Sequence, residues 1–368
     1  MKRVYLSLLL LVTLVACTNN DAKIDKTEAA VDGKIYATID NGGSRVHLNS
    51  DVQTVWNEGD EITILGPTSY AQYRFDGKTG DRSGTFSNVE SFAPILDKAT
   101  QFNALYPGHG NLNYSETRAV KDEMIATLLP VQKYTKDSYY SKSNIMIGSS
   151  PDGSSYVFKN VVSYLRLSLV GQKAIKSIQL KGNNSEFLAG QLFINTSTLK
   201  THLKGDDSGN SKNVILDCGD GVQLSETPID FYFTLPAMTL SKGFSLVIEF
   251  TDGTLFSRTR AKQFSMNRNT VYPMAVLNVD PSDKDMYVYI DHAGTHIATP
   301  QIFAIQDIPA SGSVIWGDGT VALLEGQSDD YIYSDGKPTH KVTVQTSDAN
   351  IITLKHCKGI SRIDFSNF

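Results

Sequence analysis

The chain contains very little cysteine. It has 368 residues but only 3 cysteines, Cys17, Cys218 and Cys357, which lie far apart. A disulfide framework requires an even set of cysteines at regular spacing, usually in a short secreted chain. We therefore predict a fold that is held together without disulfides, and we interpret Cys218 and Cys357 as ordinary strand or core residues.

Sequence motifs for catalysis and metal binding are missing as well. The chain shows no His-Glu-x-x-His, no Gly-x-Ser-x-Gly and no Gly-x-x-x-x-Gly-Lys. His292 and His296 have a zinc-like spacing only if they share a helix face, and the glycine in "DHAGTH" favours a loop. Asp280, Asp283 and Asp285 do not match an EF-hand calcium loop, which favours a solvated linker. We predict no enzymatic activity, no metal site and no cofactor.

The chain also lacks a strong excess of one charge. Its formal net charge is −5, and acidic and basic residues are interspersed along its length. Proteins that bind nucleic acids usually present a basic patch or stripe. Nucleic acid is therefore excluded as an expected partner.

A single long apolar run is present, from Val4 to Ala16, directly after Lys2 and Arg3. At about 13 residues it is shorter than the ~20 that a membrane-spanning helix needs. A positive start followed by a short apolar core is typical of a cleaved secretory signal. We therefore expect residues 1–16 to be removed as a signal peptide.

The end of this run, Leu14 to Cys17, resembles the bacterial lipobox. In that motif the cysteine thiol is joined to diacylglycerol and the cysteine becomes the new N-terminus, which carries acyl chains such as palmitate. The alternative is a plain signal peptide with a cysteine at this position by chance. We expect a membrane partner reached through a lipid anchor on Cys17, and an outer-membrane lipoprotein that is surface-exposed or pilus-associated.

From Lys34 onward the hydrophobic pattern has a period of two. The segments "VSYLRLSLV", "FYFTLP" and "FSLVIEF" alternate apolar and polar residues, as strands with one buried face do. Seven Asp-Gly pairs separate such runs, and Asp-Gly is a strong hairpin signal. The pattern predicts an all-β protein built from several β-sandwiches.

Two polar segments suggest where the domains meet. They are "SSPDGSSYVF" at 149–158 and "NVDPSDKDM" at 278–286. The predicted organisation is a signal peptide (1–16), a lipidated flexible stalk (17–33), a first sandwich (34–157), a second sandwich (158–280), a third sandwich (281–346) and a C-terminal cap (347–368).

Several segments, in order, resemble the fimbrillin family, the subunits and accessory lipoproteins of type V pili in Bacteroides-like bacteria. They are "VWNEGDEITIL", "FNALYP", "IMIGSS" with "YVFKNVVSYLRLSL", "FTLPA" and "QFSMNRNTVYPMAVLNV". The resemblance implies two tandem transthyretin-like β-sandwiches and a role in adhesion or pilus assembly. Trp56, Gly59 and Asp60 are then fold markers: a core aromatic residue and a turn before the strand that starts near Ile62.

The resemblance also implies a mechanism. In polymerising members of the family, a protease cuts after an arginine in the loop that follows the first strand. That strand then leaves and is replaced by a strand of another subunit, which is β-augmentation. Here the first strand is Lys34 to Ile39, and Arg45 is the candidate cleavage site. The alternative is a solvated loop arginine that is never processed, and a strand held by two neighbours would be a poor candidate for exchange.

The C-terminal part departs from the fimbrillin pattern. The segment "SVIWGDGTVALL" resembles the marker of a PKD-like, immunoglobulin-type sandwich, with Trp316, Gly317, Asp318 and Gly319 as fold markers. An appended sandwich would block simple strand donation, which favours an accessory, tip or anchor role. Residues 347–368 resemble the start of a leucine-rich coil, but they are too few for a repeat array.

A second function stays open, that of a surface lipoprotein that binds glycans. The chain has 17 tyrosines, and Tyr134, Tyr139 and Tyr140 form the best local cluster for stacking on a sugar. Tyrosine is also favoured in antiparallel sheets, so its abundance decides little. The expected partners are thus other pilus or envelope proteins, or a host protein or glycan.

Overall fold

The protein is nearly all β in the part of the chain that the structure describes. The structure is a computed structural model, and it describes residues 33–40, 54–65, 70–89, 102–108, 123–203, 205 and 209–280, and the strands between residues 286 and 364. Within these ranges the one helical segment is a 3₁₀ turn, Ser141–Ser143. The predicted all-β class is therefore confirmed.

The strands fall into three successive stretches of the chain. The first contains β1 (Lys34–Asp40), β2 (Glu61–Leu65), β3 (Tyr70–Phe75), β4 (Ser83–Asn88), β5 (Phe102–Tyr106), β6 (Glu123–Leu128), β7 (Val131–Lys133), β8 (Met146–Ser150) and β9 (Ser155–Asn160). The second contains β10 (Val162–Val170), β11 (Ala174–Gly182), β12 (Gly190–Asn195), β13 (Thr201–Leu203), β14 (Asn213–Gln223), β15 (Ile229–Pro236), β16 (Thr239–Leu240), β17 (Phe244–Phe250), β18 (Leu255–Arg260), β19 (Phe264–Ser265), β20 (Val271–Pro273) and β21 (Leu277–Asn278). The third contains β22 (Met286–His292), β23 (Gln301–Ile308), β24 (Ser313–Ile315), β25 (Val321–Leu323), β26 (Gly326–Gln327), β27 (Tyr331–Tyr333), β28 (Thr339–Gln345), β29 (Thr353–Lys358) and β30 (Ile360–Asp364).

The first unit is a closed barrel of seven strands, in the order β1-β4-β3-β2-β5-β8-β9. The prediction for this region was a β-sandwich. The structure differs because β1 pairs in parallel with β9 as well as antiparallel with β4, which closes the sheet on itself. The barrel interior is filled by alternating inward side chains, among them Ile35, Ile62, Phe86 and Phe158.

The second unit contains a β-sandwich. One sheet has the order β15-β10-β20, with β21 also on β10, and the other has the order β18-β17-β11-β14-β7. Apolar residues of both sheets form one core cluster. Leu165, Leu167 and Leu169 of β10 lie in this core, as the period of two predicts for one face of a strand.

A buried glutamine ties the two sheets of the sandwich together. Gln132 in β7 points inward and is fully buried. Its Nε2 donates to the carbonyl oxygen of Thr234 in β15 at 2.7 Å, and its Oε1 accepts from the backbone N–H of Thr234 at 2.9 Å. The side-chain amide thus satisfies the buried backbone of β15 as a neighbouring strand would.

Two strands from the first stretch of the chain belong to sheets of the second unit. β6 and β7 pair with β12 and β14 of the second unit, and the chain then returns to the barrel as β8 and β9. The predicted organisation placed residues 123–133 in the first unit, whereas the structure places these strands in the sheets of the second. The segment 149–158, which we predicted to be a joint, contains the hairpin turn between β8 and β9. The chain therefore crosses between the units more than once.

The C-terminal strands form two sheets. Their orders are β25-β24-β28-β22-β30 and β26-β23-β27, with β29 also on β23. The segment predicted as a cap therefore contributes β29 to one sheet and β30 to the other. The PKD-like marker, Trp316 to Thr320, lies outside the described residues.

Candidate functional site

The first strand and its slot in the barrel form the candidate site. β1 alternates exposed and buried residues, and Ile35, Ala37 and Ile39 point into the barrel with exposures of 5%, 0% and 3%. Five residue pairs join β1 to β4 and five join it to β9. The strand is thus paired along both edges, which opposes its exchange while it stays covalently joined to the rest of the barrel.

Trp56 fills the barrel beneath these strands. It is fully buried, and the rings of Phe86, Phe158 and Tyr106 meet it edge to face with centroids 5.0, 5.3 and 5.4 Å away. Its backbone N–H donates to the carbonyl of Asp81 at 2.8 Å. Its indole Nε1 has no hydrogen-bond partner among the described residues. The role of Trp56 is therefore to fill the core.

Gly59 and Asp60 form the turn that leads into β2. Gly59 has a φ of +78°, which disfavours any residue with a side chain. One carboxylate oxygen of Asp60 accepts from the backbone N–H of Asn57 at 2.7 Å, and the other accepts from the hydroxyl of Tyr106 at 3.1 Å. Burial raises the pKa of the Asp60 carboxyl above its usual value, although these hydrogen bonds act against the rise.

The raised pKa of Asp60 predicts that its contribution to folding stability changes with pH. The lowered pKa of Asp152 predicts a change of the opposite sign. Because the pKa of Asp60 is raised in the folded state, its contribution to stability is full below about pH 3.8 and falls as pH rises through the folded value. Hydrogen bonds from the backbone and hydroxyl of Ser154 lower the pKa of the Asp152 carboxyl, so its contribution is present above about pH 3.8 and is lost on acidification.

The measurement is urea unfolding of the wild type, Asp60→Asn and Asp152→Asn from about pH 3 to about pH 7. With rising pH, the stability of the wild type should fall relative to Asp60→Asn and rise relative to Asp152→Asn. A wild-type stability that rises with pH relative to Asp60→Asn would show that the environment assigned to Asp60 is wrong.

The tyrosine cluster does not form the exposed surface that glycan stacking requires. Tyr139 is buried, its ring stacks on that of Tyr164 at 4.5 Å and 19°, and burial raises the pKa of its hydroxyl. Tyr134 is half-buried and packs against Phe231 at 5.1 Å, and Tyr140 is half-buried. The proposed ligand-stacking role is thus corrected for this cluster, because packing already uses the rings of Tyr134 and Tyr139.

A buried polar cluster joins the barrel to the second unit. The hydroxyl of Tyr139 donates to Thr54 Oγ1 at 3.0 Å. Asn144 Oδ1 accepts from Asn160 Nδ2 at 2.6 Å and from the hydroxyl of Tyr164 at 2.5 Å. All five side chains are buried, and an apolar cluster drawn from both units surrounds this junction. A buried and satisfied polar network favours one fixed orientation of the two units.

Sequence reasoning missed both this cluster and Gln132. The polar residues involved lie up to 102 residues apart in the chain, and no local sequence motif marks any of them. A polar residue at an inward position of a strand, such as Gln132 between Val131 and Lys133, was the one available signal. Such a signal does not name the partner, which depends on the fold.

Several predicted site residues lie outside the described residues. They are Cys17, Arg45, Trp316, Gly317, Asp318 and Gly319. Of the other cysteines, Cys218 is buried, and burial raises the pKa of its thiol to about 12. A thiol with so high a pKa is a poor nucleophile near neutral pH.

Among the described residues, no three His, Cys, Asp or Glu side chains are grouped so that they would hold a metal ion. The same part of the chain has no helix with the length and apolar character needed to cross a membrane.

Comparison with solved structures returns candidate cell adhesion proteins and fimbrial proteins. A candidate cell adhesion protein from Bacteroides ovatus is 16% identical, with a TM-score of 0.44 over 68% of this chain and 93% of its own. One from Bacteroides uniformis is 14% identical, with a TM-score of 0.37 over 68% and 94%. The tip fimbrial protein Mfa3 from Porphyromonas gingivalis is 10% identical, with a TM-score of 0.30 over 66% and 95%.

These TM-scores and identities are too low for the roles of the neighbours to be transferred to this chain. No protein-family model matches the chain, and no curated protein matches it.

Proposed function

We propose that this chain is a lipid-anchored envelope protein that acts in adhesion or pilus assembly through β-strand complementation and protein contacts. The lipobox-like ending at Cys17 supports the lipid anchor, which we place at the outer membrane. The ordered segments that resemble fimbrillins support the adhesion or pilus role, in an accessory, tip or anchor position. In this proposal the protein binds other proteins and catalyses no reaction.

The observation that carries the proposal is the position of β1 in the barrel. β1 is the first described strand, and it closes the barrel by pairing with β4 along one edge and with β9 along the other. Its departure would expose two strand edges, together with a slot that now holds Ile35, Ala37 and Ile39. Unpaired edges next to an apolar slot are a template for a strand from another protein.

The two ladders of β1 also set a condition on this exchange. Both edges of the strand are hydrogen-bonded, so leaving the barrel requires the loss of two sets of backbone pairs. While the strand is covalently attached, it also rebinds its own slot at high effective concentration. The proposal therefore includes a cut in the loop after β1, for which Arg45 is the candidate site.

Digestion with an arginine-specific protease tests the proposal. The chain without residues 1–17 should be cut after Arg45 and should then bind a labelled peptide with the sequence Lys34–Asp40, seen by N-terminal sequencing and fluorescence polarisation. Arg45→Lys should stay uncut at this position and should not bind the peptide, whereas Arg74→Lys, in the exposed part of β3, should behave as the wild type. A chain that is cut after Arg45 but does not bind the peptide would contradict strand complementation.

A further inference from the structure

We infer that the slot of β1 selects an incoming protein segment by the size of one side chain. The segment must be extended, run parallel to β9, and present inward side chains in the order large, small, large. This inference rests on the proposed function, since it names the partner that β-strand complementation would admit. It is carried by the register and packing around Ala37.

Ala37 lies at the middle of the slot and is fully buried. Its partner across the antiparallel ladder is Gly84 in β4, and its partner across the parallel ladder is Tyr156 in β9. Directly paired side chains on one face of a sheet lie about 5 Å apart at Cβ. The space available to the side chain of residue 37 is therefore limited by the side chain that packs against the inner face of Gly84 and by the ring of Tyr156. The ring of Tyr156 is itself fully buried.

The ring of Phe75 occupies the space over Gly84. A Cβ atom added to Gly84 would lie 2.8 Å from Cε2 of Phe75 and 3.3 Å from its Cζ. A Cβ atom added to Gly77 would lie 2.4 Å from Cζ of the same ring. The two glycines thus make room for the ring of Phe75, and the ring in turn restricts the side chain at position 37.

Phe75 is not free to move aside. It is buried, and its ring packs against those of Phe86 and Trp56 with centroids 5.0 and 6.1 Å away. Close-packed interiors do not accept extra methylene groups without strain. The middle position of the slot therefore accommodates alanine, glycine or serine, and excludes leucine, isoleucine and aromatic residues.

The two ends of the slot have the opposite requirement. Ile35 pairs with Phe86, and Ile39 pairs with Phe158, and all four side chains lie in the barrel core. A small residue at either end would leave a cavity. The direction of the segment follows from the backbone, because β4 presents an antiparallel ladder and β9 a parallel one, and the two hydrogen-bond patterns differ.

Peptide displacement tests the selectivity. The probe is the full chain without residues 1–17, with a protease site inserted between residues 41 and 53 and then cut. Labelled peptides with the sequence Lys34–Asp40 compete for the slot in three forms: native, Ala37→Leu, and Thr38→Leu. Thr38 is the matched control because its Cα partner in β9 is the exposed Val157, so its side chain lies on the outer face.

The native and Thr38→Leu peptides should bind with affinities within about threefold of each other, and the Ala37→Leu peptide at least about tenfold more weakly. In a chain with Phe75→Leu, the Ala37→Leu peptide should regain affinity relative to the native peptide, since the smaller side chain leaves room. Equal binding of all three peptides to the wild-type slot would overturn the selectivity alone. No binding of any peptide, the native one included, would overturn both the proposed function and this inference.

Discussion

Replacing Trp56 with alanine is expected to lower the free energy of unfolding by about 4 kcal/mol. The side chain is fully buried, and four aromatic rings surround it with centroids 5.0 to 6.1 Å away. The strands that carry these rings are held by backbone ladders on both sides, so they are not able to collapse into the cavity. The loss should therefore combine the lost burial and the cost of the cavity.

The measurement is urea denaturation followed by circular dichroism, with hydrogen exchange of the barrel amides to locate the loss. The matched control is Tyr36→Ala, because Tyr36 lies on the outside of the same barrel with 37% of its surface exposed. The control should change stability by less than about 1 kcal/mol. A comparably small change for Trp56→Ala would show that the tryptophan is not the centre of the barrel core.

Replacing Gln132 with leucine is expected to cost about 3 kcal/mol of stability. Leucine fills a similar volume, but it leaves the N–H and the carbonyl of Thr234 without their present partner. Both groups are buried, and a buried polar group that loses its hydrogen bond costs about 1–3 kcal/mol. The expected loss of stability therefore comes mainly from the unpaired N–H and carbonyl of Thr234 in β15.

The matched control is Gln223→Leu, a glutamine at an exposed position in β14 of the same sheet. In this variant water takes the place of the lost side-chain amide, so the expected change in stability is less than about 1 kcal/mol. Gln132→Glu adds a second test, because it keeps an acceptor for the N–H of Thr234 but offers no donor for the carbonyl. Urea denaturation of the three variants would contradict the account if Gln132→Leu were as stable as the wild type.

The sequence allows the strands to be predicted better than their arrangement. Alternating residues such as Leu165, Leu167 and Leu169 identify a strand and its buried face, because side-chain direction depends only on neighbours in the chain. The closure of the barrel depends on β1 meeting β9, more than a hundred residues later. No local sequence pattern indicates such a pairing, so the sequence predicted a β-sandwich and not a closed barrel.

The chain crossings were missed for a related reason. A Gly/Ser-rich segment is typical of a linker and of a tight turn alike. The segment at 149–158 contains the turn of a hairpin, in which Asp152 accepts from the backbone N–H of Ser154 at 3.0 Å. The tyrosines near 134–140 illustrate the same limit, since composition does not separate a ring that stacks in a junction from one that faces solvent.

The central claim is that β1 must leave the barrel before the protein binds another strand. A disulfide between β1 and β9 tests it most directly, made by replacing Tyr36 and Ser155 with cysteine, since these two residues are partners across the parallel ladder. After digestion with an arginine-specific protease, the oxidised chain should not bind a labelled peptide with the sequence Lys34–Asp40, and reduction of the disulfide should restore binding. Peptide binding that is equally strong with the disulfide intact would contradict the claim.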